Sequence, residues 1–262
     1  MPRSVYVAAL QTPVTFDPMQ NARQIVELVE QLPQGAIAVA PEGGLSGYVD
    51  GRDDLAMVRF DDLPIALAEL QRAVDSCGVT LFVGTYLSRG TDIANSVVCL
   101  SPTGGMVVYE KVNLAQAERG TIRPGSDLIT VDVPVAGSGI VRVAPQLCRE
   151  VRFPEPWRRL AEDGASIFVH LNNAVGHDGE FSPFLAHLQS RAAENQRFLV
   201  SANVAARAQR SPSVVIDPTG RVIASVEGDS SGIAAFEIDL DEISNHYLDQ
   251  RVLARTVERR VP

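Results

Sequence analysis

Ile140-Val141-Arg142-Val143-Ala144-Pro145-Gln146-Leu147 is a mostly apolar, β-branched run that stops at Cys148, and Arg149-Glu150-Val151-Arg152 then leads into Phe153-Pro154-Glu155, which opens a helix. The run has strand character and the segment behind it helical character, so the chain passes from sheet to covering helix at one cysteine. A cysteine at such a corner stands where an elbow nucleophile stands, because the free backbone N–H groups of the turn can hold an oxyanion. The adjacent helix start and the nearby cations would also lower its pKa. Cys77, at the end of an amphipathic stretch, and Cys99, in an apolar run, have the setting of small core residues. Position favours Cys148 as nucleophile over a packed core thiol.

Working outward, short Val- and Ile-rich runs recur along the chain and predict twelve strands: 5–11, 37–40, 79–85, 96–100, 107–111, 128–133, 140–147, 166–171, 198–202, 214–216, 222–226 and 233–238. Helices are predicted over 21–31, 62–77, 155–163 and 184–196. In the second, Leu63, Leu67, Leu70 and Val74 form one apolar stripe of the kind that covers a sheet. Thr103-Gly104-Gly105 and Pro218-Thr219-Gly220 signal hairpins. Helical crossovers mixed with hairpins predict an α/β layered fold with two mixed sheets rather than one parallel sheet. No linker interrupts the chain, so residues 1–262 read as one domain, and the arginine-rich stretch 248–262 reads as a tail, frayed or laid on a partner subunit.

Composition narrows the function. Lys+Arg of 23 against Asp+Glu of 32 leaves a net charge of -9, which argues against a nucleic-acid partner. Three cysteines imply no disulfide framework and suit a reducing cytoplasm. The N-terminus lacks the pattern of a signal peptide, and no apolar stretch reaches the roughly 18 to 20 residues that span a bilayer. A soluble cytoplasmic protein is expected.

Two further strand ends carry charge. Ile37-Ala38-Val39-Ala40 stops at Pro41 and is followed by Glu42 and Gly43-Gly44; Val107-Val108-Tyr109-Glu110 ends in Lys111. Alone, Glu42 could be a solvated loop acid or an arginine's partner, and Lys111 could merely guard an exposed edge. Taken with Cys148 they are a base, an oxyanion-stabilising cation and a nucleophile, the parts of an acyl-transfer enzyme.

At this point the sequence resembles the nitrilase superfamily, the carbon-nitrogen hydrolases. The resemblance runs through Ala40-Pro41-Glu42, Tyr109-Glu110-Lys111 and Leu147 to Glu155. It continues in Arg191-Ala192-Ala193-Glu194-Asn195, Ser201-Ala202-Asn203 and Ile216-Asp217-Pro218-Thr219-Gly220, and so covers nearly the whole chain. It implies a four-layer α-β-β-α sandwich and a Glu42-Lys111-Cys148 triad. It further implies Glu118 as a second active-site carboxylate, the backbone N–H of Arg149 as oxyanion donor, and a homodimer or higher homo-oligomer. Arg149 and Glu150 stand where many relatives have an aromatic residue and an aspartate; Asn113 stands where histidine is frequent, and Ser211-Pro212-Ser213 lacks the usual glycine. These departures bear on substrate, not on reaction class.

The implied reaction is hydrolysis of a non-peptide C–N bond, foremost a small aliphatic amide, through a thioester on Cys148, with no metal or cofactor. The loops 47–54 and 172–181 supply the pocket candidates Tyr48, Asn172 and Asn173, and Asn113 is a fourth. Three alternatives stand beside this reading. One is an N-carbamoyl hydrolase or nitrilase of the same family, though in the carbamoyl branch two adjacent arginines hold the substrate carboxylate and the first is Val151 here. Another is a Cys148–His170 dyad, with His177, His187 and His246 as ordinary polar residues. The third is a silent binding protein of the same fold.

Overall fold

The computed structural model describes residues 3–102, 104–176 and 182–252. Among them lie two six-stranded sheets. The first contains β1 (Ser4–Gln11), β2 (Ile37–Val39), β3 (Thr80–Arg89), β4 (Asp92–Leu100), β5 (Met106–Glu110) and β12 (Gly232–Asp239), in the order β12-β1-β2-β3-β4-β5. The second contains β6 (Val131–Val135), β7 (Gly139–Leu147), β8 (Ile167–Leu171), β9 (Phe198–Ala202), β10 (Ser213–Ile216) and β11 (Val222–Val226), in the order β11-β10-β9-β8-β7-β6. Each has a parallel centre, β1-β2-β3 or β7-β8-β9, with antiparallel strands on its flanks. The mixed topology expected from the sequence is the one found.

Strand alternation creates the layers. Val5, Val7 and Ala9 of β1, with Val39 and Phe82, meet Val143, Leu147, Ile167, Val169 and Leu171 in a core between the sheets. The intervening residues Ala8, Leu10, Ala38 and Leu81 face the other way, onto α1 (Pro18–Val29) and α3 (Leu63–Cys77). On the far side, Ala144 and Phe168 pack against Trp157 and Leu160 of α4 (Pro154–Glu162) and Leu188 of α5 (Phe184–Asn195). Side chains at period two thus feed two cores from one strand, and the result is the α-β-β-α sandwich. Two short helices complete the described elements, α2 (Arg52–Leu55) and α6 (His246–Asp249).

Boundaries depart from expectation where local chemistry outweighs apolar periodicity. Helix α1 starts three residues early, because Asp17 accepts from the Met19 and Gln20 N–H groups at 3.0 Å and Pro18 suits the first turn. Strands β3 and β4 run on past 85 and before 96, and pair down to Arg89 opposite Asp92 around Gly90, whose φ is 70°. Strand β6 starts three residues later than expected and ends two later, and it tolerates Pro134 because it is a sheet edge. In the 217–220 turn, Asp217 Oδ1 accepts from Thr219 N, Thr219 Oγ1 and Arg221 N, and β10 and β11 pair as the predicted hairpin. Strands β4 and β5 also pair antiparallel, although Thr103 of their connection lies outside the described residues. So do His177, residues 177–181 of the pocket loop and 253–262 of the tail. Before that point, Leu248 packs on the α4–α5 layer and Arg251 pairs with Glu162 at 2.5 Å. No helix among the described residues is long and apolar enough to cross a membrane.

Candidate active site

Two strand ends and a 3₁₀ turn deliver the buried charges. Glu42 leaves β2 on a tight turn that crosses β3 at Gly84. A Cβ on Gly84 would fall 2.6 Å from the Glu42 Cα and 2.5 Å from the Pro41 oxygen, so that crossing needs glycine. Lys111 follows β5 directly, and its N–H donates to the Asn95 carbonyl at 2.8 Å. Glu118 ends a 3₁₀ turn, with Oε2 accepting the Ala115 N–H at 2.5 Å. All three side chains are buried.

They form one network. Lys111 Nζ donates to Glu42 Oε1 at 2.7 Å and to Glu118 Oε1 at 3.0 Å. Asn95 Nδ2 donates to the same two oxygens. Oε2 of Glu42 is buried and has no such partner. Burial raises the Glu42 pKa, with Glu118 adding to the rise and Lys111 opposing it. For Lys111, burial favours the neutral amine, but Glu42, Cys148 and Glu118 together push its pKa well above the ordinary value. It is an ammonium.

Cys148 begins a 3₁₀ turn at φ 36°, a left-handed value that costs a non-glycine residue roughly 1–3 kcal/mol. Its thiol does not show the lowered pKa expected from the sequence. Burial raises it, the neighbouring Glu42 carboxylate raises it further, and Lys111 and the Asn173 N–H only partly oppose them. Desolvation outweighs the cations, so the resting group is a neutral thiol. Glu42 is the carboxylate beside it.

The histidine alternative does not survive. His170 Nε2 lies 3.1 Å from the Cys148 carbonyl oxygen, and Nδ1 lies 2.9 Å from Ser201 Oγ. The carbonyl can only accept, so Nε2 carries the hydrogen. Burial pushes the pKa of His170 down to about 4, and the ring supports the elbow's backbone rather than the sulfur.

Glu150 is fully buried. Its carboxylate accepts the Leu147 N–H at 2.8 Å, the Val112 and Asn113 N–H groups at 3.0 Å, and the Tyr109 hydroxyl at 2.8 Å. One buried acid therefore ties the loop after Lys111 to the cysteine elbow. Arg152 places its guanidinium 5.5 Å from the centre of the Phe184 ring.

A cavity of about 430 Å³ opens over the sulfur, lined by Tyr48, Cys148, Arg149, Asn173 and Phe184 among others. Of the four pocket candidates, Tyr48 and Asn173 line it. Asn113 does not, its N–H being held by Glu150. Asn172 is buried beneath, its carbonyl accepting the Glu42 N–H at 3.3 Å. Sequence reading misses Asn95, because the apolar run that marks its strand begins one residue later, and it misses Glu150 as the tie between two loops.

The chain is similar to known amidases in sequence and to solved structures in fold. An (R)-stereoselective amidase of Pseudomonas sp is 30% identical over 79% of this chain and 74% of its own. A deaminated glutathione amidase of Rattus norvegicus is 28% identical over 93% of this chain and 78% of its own. Among solved structures, an amidase from Nesterenkonia sp. superposes with a TM-score of 0.77 at 24% identity, covering 94% of this chain and 93% of that one. XC1258 from Xanthomonas campestris, a CN-hydrolase superfamily protein, reaches 0.80 at 18% identity, covering 97% and 99%. The carbon-nitrogen hydrolase family matches residues 6–246, nearly the whole chain. With its two-sheet sandwich and buried acid, lysine and cysteine, the chain belongs to the carbon-nitrogen hydrolases of the nitrilase superfamily.

Proposed function

We propose that the protein hydrolyses a small aliphatic amide to its carboxylic acid and ammonia through a thioester on Cys148. The observation that carries this is a buried neutral thiol beside a buried glutamate whose Oε1 is fixed by a lysine and whose Oε2 has no hydrogen-bond partner. As Sγ attacks the amide carbon, its proton passes to Glu42 and the carbonyl π electrons move to oxygen. That oxyanion lies against Lys111 Nζ and the Arg149 N–H, donors that stabilise charge present only in the transition state and intermediate. Collapse breaks the C–N bond, and Glu42 returns the proton to the leaving nitrogen, which departs as ammonia. Water then adds to the thioester as Glu42 takes its proton. The C–S bond breaks, the acid leaves, and the sulfur recovers the proton. Glu118 holds Lys111 throughout.

The carbamoyl alternative has less support. Val151 stands at the first arginine position of that branch and is buried, its carbonyl accepting Arg191 Nε at 3.0 Å. An ammonia-release assay over simple amides, nitriles and N-carbamoyl-D-amino acids tests the reading. The expected order of kcat/KM is amide above nitrile and above carbamoyl substrate. A carbamoyl amino acid that outran every amide would shift the assignment to a carbamoylase, and no turnover of any would leave a binding protein. A homo-oligomer working in the cytoplasm on small molecules, without cofactor or metal, completes the proposal.

A further inference from the structure

Asn95 lies on β4 just before the strand's apolar run and is fully buried. Its Nδ2 donates to Oε1 of Glu42 at 2.9 Å and to Oε1 of Glu118 at 2.6 Å. A carboxamide nitrogen carries two N–H groups, so both are spent on carboxylates. The same two oxygens accept from Lys111 Nζ, and the Asn95 backbone carbonyl accepts the Lys111 N–H. One neutral residue thus touches every charged member of the network.

The arrangement has a cost that identifies its purpose. Asn95 Oδ1 is buried with no hydrogen bond, a penalty that an apolar side chain filling the same space would not incur. Two carboxylates that share donors repel each other, and a single ammonium neutralises only one of them. Further donors must hold the second negative charge without adding another ion, and a carboxamide does that where an aspartate of the same shape would add a third carboxylate. We propose that Asn95 is a positioning residue for the general base: with Lys111 it fixes Oε1 of Glu42, leaving Oε2 for the Cys148 thiol, and it keeps Glu42 ionised beside Glu118. The proposal rests on Glu42 being that base. Hydrogen bonding from Asn95 lowers the Glu42 pKa against the rise that burial and Glu118 cause. The other groups facing Glu42 are Lys111, Cys148, Tyr48 and Tyr86.

The test compares wild type with Asn95→Asp and Asn95→Ala in two readouts over the acid and neutral range. One is the rate of iodoacetamide alkylation at the Cys148 peptide, followed by mass spectrometry; the other is kcat and KM for propionamide, with a melting curve for each variant. In both variants the acid limb is expected to move up by about one pH unit. At neutral pH kcat is expected to fall about tenfold while KM stays within about threefold. A folded variant whose limb and kcat match wild type overturns the proposal; so does failure of both variants to fold, which would make Asn95 purely structural. If the alkylation limb shifts although wild type releases ammonia from no amide, the role of Asn95 stands and the amidase reading falls. Turnover with an unshifted limb keeps the amidase reading and removes the role of Asn95.

Discussion

Glu42, beside the Cys148 thiol, has Oε1 held by Lys111 and Asn95 and Oε2 without a hydrogen-bond partner, and from that asymmetry the residue-scale predictions follow. Replacing Cys148 with alanine removes the covalent step, so turnover should fall on the order of a thousandfold or more while the protein stays folded. Comparable activity would end the mechanism. The φ of 36° adds a less obvious expectation. Cys148→Gly should be equally inactive yet melt no lower than Cys148→Ala, because relief of about 1 kcal/mol of backbone strain offsets the added freedom of the unfolded chain. Glu42→Gln should reduce kcat far more than it raises KM, as expected for a group acting in the transition state. An effect on KM alone would contradict the general-base role. Cys99→Ala is the control: its thiol, pushed up to about 12 by burial, is inert, and the variant should lose stability and keep its chemistry.

At the scale of elements, β3 and β8 carry the site from beneath. Gly84→Ala on β3 should displace the Pro41–Glu42 crossing, costing about 1–3 kcal/mol by overpacking and lowering kcat more than that loss of stability explains. An unchanged kcat would show that the crossing can shift freely. On β8, the His170 pKa falls from 6.5 unfolded to about 4 folded, so the unfolded chain binds the extra proton first as pH drops. His170 therefore contributes stability that is present above about pH 6.5 and lost progressively toward about pH 4, at most about 3 kcal/mol. Glu42 and Glu150, raised by burial, act in the opposite direction, so the difference between wild type and His170→Asn in urea midpoint against pH is the informative quantity. A pH-independent difference would refute the assignment of His170 as a neutral buried ring. The elements also show what is legible in the sequence. Strand ends at Glu42, Lys111 and Cys148 are readable because an apolar run stops at a charge or a cysteine. The true reach of β3 and β4 is not, since Ser88, Arg89, Thr91 and Asp92 are polar and the ladder's backbone bonds leave no trace in hydropathy. Asn95 is lost with that boundary. Glu150 is visible but its partners are not, because Tyr109 and the Val112 and Asn113 N–H groups meet it only across the fold.

At the scale of the whole molecule, two sheets whose inner faces share a core bring residues 42, 111 and 148 together from far apart in sequence. The family resemblance further leads us to expect a homo-oligomer, as most soluble assemblies are symmetric. Light scattering at micromolar concentration should give at least twice the 28.2 kDa chain mass, and a fully active monomer would refute it. The proposed chemistry is narrower: a buried neutral thiol, deprotonated by Glu42, takes the acyl group of an amide. Its most direct test is an acid-quenched single turnover with propionamide, followed by mass spectrometry of the peptide containing residue 148. The expected result is a propionyl increment on Cys148 that decays as the acid forms, one ammonia per chain in the burst, and neither in Cys148→Ala. Ammonia release without any adduct, matched by Cys148→Ala, would contradict it.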